Sequence, residues 1–156
     1  MYAEITAAAY LEFMIHEFYN GLVTLLELEA LNDDELETVY ALGYNFFTFG
    51  KYEAAKDIFT GLTACAPEKD YYWRALGAVN QQLKQYSEAI AAYDMAVEKN
   101  QMDVVSYVYR GESHILSSNV EAGLECLKTA AEIGAEDPQF SAWVQRARFL
   151  IDLHEH

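Results

Sequence analysis

The first fifty residues contain no lysine or arginine, the first cation being Lys51, while the same stretch holds nine aspartates and glutamates. Over all 156 residues the formal net charge is −15. Binding to a phosphate backbone needs a basic face, so a nucleic-acid partner is excluded, and an anionic membrane surface is disfavoured for the same reason. Cysteine is scarce as well. Cys65 and Cys126 stand alone, without a Cys-x-x-Cys pair or a Cys/His cluster, which argues against a disulfide framework or a zinc site and for a reducing cytosol. No uncharged apolar run reaches the roughly 18 residues of a membrane-crossing helix. The N-terminus lacks the positive region of a secretory signal, and Glu4 and Glu12 interrupt its apolar residues. These absences predict a soluble, cytoplasmic chain.

Signatures of chemistry are missing too. There is no Gly-x-Gly-x-x-Gly, phosphate loop, nucleophile elbow or His-Glu-x-x-His. The histidines at 16, 114, 154 and 156 have no partner at metal-ligand spacing beyond the His154/His156 pair near the end of the chain. The cluster Asp33, Asp34, Glu35 and Glu37 opens an expected helix, where acids complement the dipole. The expectation is a protein with no catalytic residues, no metal and no cofactor.

Proline is limited to Pro67 and Pro138, so long helices can run between them. Apolar residues make up 53% of the chain, enough to build a core. Their order carries a period. Gly43, Gly77 and Gly111 are spaced by 34 residues each time. In the same register Tyr52 matches Tyr86 and Val120, Ala55 matches Ala89 and Gly123, and Phe59 matches Tyr93 and Leu127. Leu42-Gly43 and Trp73-x-x-Leu76-Gly77, then Ala55-x-x-x-Phe59 and Ala89-x-x-x-Tyr93, with Pro67 following, are the positions of the tetratricopeptide signature. Each such unit is an antiparallel helix pair joined by a tight turn, here near 49–51, 84–85 and 118–119. Small residues at one set of positions let the helices approach, and large ones at 59, 93 and 127 fill the space between pairs.

The expected fold is therefore all-α: three tandem repeats at 36–69, 70–103 and 104–137 in a short right-handed solenoid, one domain over 1–156. Asp137-Pro138 starts a capping helix over 138–153, and Gly134 caps the last repeat helix. Residues 1–31 form an N-terminal helical region whose apolar stripe Leu11, Ile15, Phe18 and Leu22 is wider than a cap requires. That excess predicts a homodimer through this stripe, simple capping being the alternative.

In stacked pairs the first helix of each lines the concave face. This assigns Tyr40, Tyr44 and Phe47 from repeat one, Arg74, Ala78 and Gln81 from repeat two, and Val105, Val108 and Glu112 from repeat three to a peptide-binding face. Rings suit apolar anchors of an extended peptide, and the polar side chains suit its backbone. The carboxylate clamp of heat-shock co-chaperones is absent, since Tyr40, Tyr44, Ala75, Val105 and Tyr109 occupy its positions.

The stretch Leu31 to Leu62, with Val39-Tyr40-Ala41-Leu42, Asn45, Gly50-Lys51-Tyr52 and Ala55, resembles the class II chaperones of bacterial type III secretion systems. The resemblance extends to length, acidity, three repeats and the C-terminal helix, and weakens in repeat three at Arg110 and Gly123. It implies a chaperone in the bacterial cytoplasm that keeps hydrophobic translocator proteins soluble before export. Such chaperones hold an extended Pro-x-Leu-x-x-Pro-like segment in the concave groove, and many self-associate through the N-terminal region. The alternative is a generic repeat scaffold joining folded proteins.

Overall fold

A computed structural model describes residues 31–155, and these are helical with no strand. Residues 1–30 of the expected N-terminal helical region, and with them Leu11, Ile15, Phe18 and Leu22, lie outside the described residues. The chain divides into two compact units at Pro67/Glu68.

In the first unit α1 spans Asp33–Thr48 and α2 spans Tyr52–Cys65. A capping box starts α1: Asn32 Oδ1 accepts from the Glu35 amide at 3.1 Å, and Glu35 Oε2 accepts from the Asn32 amide at 2.9 Å. Asp33, Asp34 and Glu35 thus sit in the first turn, where the dipole favours them. Leu36, Val39 and Gly43 turn inward from α1 against Ala55, Ile58, Phe59 and Leu62 of α2, all buried.

The second unit holds α3 (Asp70–Gln82), α4 (Tyr86–Lys99), α5 (Val104–Leu116), α6 (Val120–Ile133) and α7 (Ser141–Glu155). Sequential helices pack on one another, and α7 lies against both α5 and α6. The start of the capping element differs from the sequence expectation. Pro138–Phe140 forms a single 3-10 turn, with Asp137 accepting from the Gln139 amide at 3.0 Å, and the α-helix begins only at Ser141. Val144 and Ala147 of α7 are buried, Ala147 joining Val104, Val108, Leu127 and Ala130 in one core cluster. Gly134 does end α6, but with right-handed backbone (φ −90°). A Cβ there would lie 2.8 Å from Val144 Cγ2 and 3.2 Å from Val104 Cγ2. Close packing of the capping helix, not a left-handed cap, explains this glycine.

The 34-residue period reappears in the contacts. A Cβ on Gly43 would fall 2.8 Å from the Phe59 ring, and one on Gly77 2.6 Å from the Tyr93 ring. One on Gly111 would meet Leu127 Cγ and the Gly123 carbonyl at 2.9 Å. Each ring or Leu side chain thus rests on bare backbone of the partner helix. The turns repeat as well. Gly50 (φ 74°), Lys84 (φ 59°) and Ser118 (φ 69°) each adopt the left-handed conformation just past the first helix of a pair. The following amide reaches back five residues in every case: Lys51 to Phe46, Gln85 to Asn80 and Asn119 to His114, all at 2.8 Å. These are Schellman closures, and only repeat one supplies the glycine they favour.

Two substitutions at repeat positions have opposite expected signs. Gly77→Ala forces a methyl into the fully buried Tyr93 ring and should destabilise by about 1–3 kcal/mol. Lys84→Gly relieves left-handed strain of about 1–2 kcal/mol, partly offset by the backbone entropy of glycine, for a net gain of roughly 0.5–1 kcal/mol. Urea titration of both variants checks the pair, and equal signs would contradict the packing described.

Candidate functional site

Tyr40, Tyr44 and Phe47 fall on one face of α1 at spacings of four and three residues. Tyr44 is the most open of them at 55% exposure. Tyr40 is half-buried with its ring 5.7 Å from Phe59, and Phe47 is half-buried between Tyr44 at 6.3 Å and Tyr52 at 5.6 Å. The first unit therefore offers a row of rings anchored on its own core, with their outer parts in solvent. Such a row takes apolar groups and loses little side-chain entropy in doing so.

In the second unit Arg74, Ala78 and Gln81 are half-buried along α3, and Val105 and Glu112 are half-buried along α5. Val108 is corrected: it is fully buried in the cluster with Leu127, Ala130 and Ala147, so it belongs to the core and not to an open face. The stripe 105, 108, 112 straddles the edge between face and core, and its middle residue shares a buried cluster with Ala147 of α7. Val104, by the same packing, is also buried.

The structure ties together several of these residues through partners that the helical spacing did not reveal. Arg74 Nη1 donates to Asp103 Oδ1 at 2.8 Å. Asp103 is almost wholly buried and also accepts from the Ser106 amide at 3.1 Å and the Ser106 hydroxyl at 2.5 Å, capping α5. Arg74 is therefore committed to the buried carboxylate that caps the first helix of the next repeat. Further along α3, Gln81 accepts from the Tyr93 hydroxyl at 3.0 Å and makes a long 3.5 Å contact from its amide to Glu112 Oε2. Glu112 Oε1 in turn accepts from Nε of Arg146 on α7 at 2.5 Å. That hydrogen bond raises the Arg146 pKa further, and burial pushes the Tyr93 phenol far above its usual range. The chain of contacts Tyr93–Gln81–Glu112–Arg146 thus links four helices of this unit.

Aromatic rings flank that chain. Tyr93 stacks on Tyr109 with centroids 6.0 Å apart, and Tyr109 meets Trp143 edge-on at 5.2 Å. Trp143 and Arg146 were not among the residues assigned to the face from sequence. The only available signal was their spacing of three residues on one expected helix.

Elsewhere the fold brings His114 and Cys126 to one cleft with Arg110. Burial, followed by Arg110, pushes the His114 pKa down, and burial pushes the Cys126 thiol up. A neutral thiol beside a guanidinium is poorly suited to a cation. No group of three or more metal-capable side chains forms among the described residues, and none of their helices is long and apolar enough to cross a membrane.

Helix pairs repeated at 34 residues, closed by glycine-ring contacts, define a tetratricopeptide-type repeat protein, and the tetratricopeptide repeat model matches residues 72–97, within repeat two. The particular relatives are narrower. Low calcium response locus protein H of Yersinia pseudotuberculosis is 24% identical over 152 residues, covering 97% of this chain and 90% of its own. PcrH of Pseudomonas aeruginosa superposes with a TM-score of 0.80 at 26% identity, covering 83% of this chain and 98% of its own. PcrH in complex with the chaperone binding region of PopD gives 0.78 at 26% identity, over 80% and 93%. The Yersinia enterocolitica type III secretion translocator chaperone SycD, in an alternative dimer, gives 0.77 at 24% over 80% and 94%, a likeness of fold. In sequence the chain is similar to low calcium response locus protein H, and in fold to PcrH and SycD.

Because Asp103 is buried, Arg74→Met leaves a carboxylate with only the Ser106 donors. Breaking a buried pair costs about 3–5 kcal/mol, and with Arg74 a third exposed (33%) the expected loss is about 2–3 kcal/mol. Chemical denaturation of the full chain measures it. A loss near zero would show that Arg74 is dispensable to the fold and free for a ligand.

Proposed function

We propose that this chain is a bacterial cytoplasmic chaperone that binds hydrophobic translocator proteins of a type III secretion system and keeps them soluble before export. The observation that carries the reading is similarity over nearly the whole chain to proteins of this class, one of them solved with its client's chaperone-binding region. The client is held as an extended segment on the concave repeat faces. Tyr40, Tyr44 and Phe47 are the apolar anchor surface of the first unit, and Ala78, Gln81, Val105 and Glu112 line that of the second, with Arg74 holding the face in shape. Holding an unfolded client requires only that the bound state be favoured, so neither catalysis nor a nucleotide enters.

Exposed rings on a rigid helix are the kind of contact that dominates binding, each being worth about 2 kcal/mol or more at an interface centre. Co-expression with the translocator genes of the source organism should yield a soluble complex. Tyr40→Ala/Tyr44→Ala should then lose at least about tenfold in affinity, even discounting non-additivity, with the melting temperature little changed at the open Tyr44. Retention of folded cytosolic proteins instead, unaffected by the double change, would favour a generic scaffold.

Self-association through Leu11, Ile15, Phe18 and Leu22 is the second part of the proposal, supported by the apolar excess of that sequence and by a related fold found as a dimer. Removing residues 1–30 should halve the mass measured by light scattering. An unchanged mass would place any dimer contact elsewhere.

A further inference from the structure

Arg146 and Arg110 are both held through Nε, but Arg146 lies against two rings where Arg110 lies against one. Arg74 is committed to Asp103, Arg110 pairs with Asp94 at 3.0 Å, and Lys128 pairs with Glu155 at 2.6 Å. Arg146 uses Nε for Glu112, and its guanidinium carbon lies 5.7 Å from the Tyr109 ring centre and 5.9 Å from that of Trp143. Half of the side chain remains in solvent (50%), whereas Glu112 is 11% exposed. A guanidinium carries five N–H donors in a planar fork. One is spent on Glu112, so the edge formed by the two terminal nitrogens has no acceptor among the described residues. The two rings and the Glu112 contact fix the plane of that edge before any ligand arrives. Two parallel N–H groups match the two oxygens of a carboxylate better than the single oxygen of a backbone carbonyl. Because the rings already restrict the side chain, little rotamer entropy is lost on docking.

We infer that Arg146, with Tyr109 and Trp143, forms a carboxylate-reading subsite that takes an aspartate or glutamate side chain of the extended apolar segment bound by this chain. The inference rests on the chaperone reading above and adds a rule to it. Clients are selected for an acid as well as for apolar groups, which the rings of the repeat helices alone would not impose. Glu112 acts as a positioning residue, turning the guanidinium so that its terminal edge faces outward, and Gln81 steadies Glu112 from the other side.

The test is a titration calorimetry series with the full chain and synthetic peptides of the Pro-x-Leu-x-x-Pro form, each carrying one aspartate at a successive position, and their asparagine counterparts. At one position the aspartate peptide should bind about tenfold more tightly than its asparagine counterpart, as expected for a charge-assisted pair. Arg146→Met, which keeps most of the apolar stem, should abolish that difference. Arg146→Lys, which keeps the charge and loses the fork, should retain only part of it. A guanidinium that merely fastens α7 to α5 would instead weaken aspartate and asparagine peptides equally in both variants, and that result overturns the subsite. Aspartate and asparagine peptides binding alike at every position would also overturn it, leaving the chaperone reading intact. Failure of every peptide to bind would remove both.

Discussion

In each repeat a large side chain of the second helix lies on the glycine of the first, Phe59 on Gly43, Tyr93 on Gly77 and Leu127 on Gly111. The distances leave no room for a methyl group, so the separation of the paired helices is set by a ring or a Leu side chain against backbone. From that separation follow the burial of Ala55 and Ala89 at the neighbouring positions and the direction in which the first helices present their outer residues. The faces assigned to ligand binding are thus consequences of a core contact. Tyr40 shows the link directly, since one side of its ring rests on Phe59, the residue that seats on Gly43.

The second unit adds a polar layer to this apolar arrangement. Asp103, buried and capped by Ser106 while bound by Arg74, joins repeat two to the start of repeat three. The contacts from Tyr93 through Gln81 and Glu112 to Arg146 join both repeats to the capping helix. Partly buried polar networks of this kind are favourable only when their members are satisfied, and they then specify one packing among several that apolar contact alone would permit. Arg74, Arg110 and Arg146 of this unit are each paired with a carboxylate.

Legibility in the sequence tracked the distance over which each interaction acts. The helix pairs and the turns near residues 50, 84 and 118 rest on patterns that repeat along the chain. They were visible because a 34-residue period leaves the same residue types at the same places. Val108 was misplaced because it sits at the boundary of a helix face, where the position of a third helix decides which way is inward. Trp143 and Arg146 were missed as part of the face because their partners Tyr109 and Glu112 lie 34 residues away along the chain.

By itself, then, the sequence determined the helical repeat, the close approach at its glycines, the acidic character and the class of protein, since these depend on local propensity, spacing and composition. Only the tertiary structure decided which charges are paired, which valine belongs to the core and why residue 134 is glycine. Those properties depend on how side chains from separate helices meet. A buried ion pair or a steric contact is decided by three-dimensional distance, and helical spacing along one element does not contain that distance.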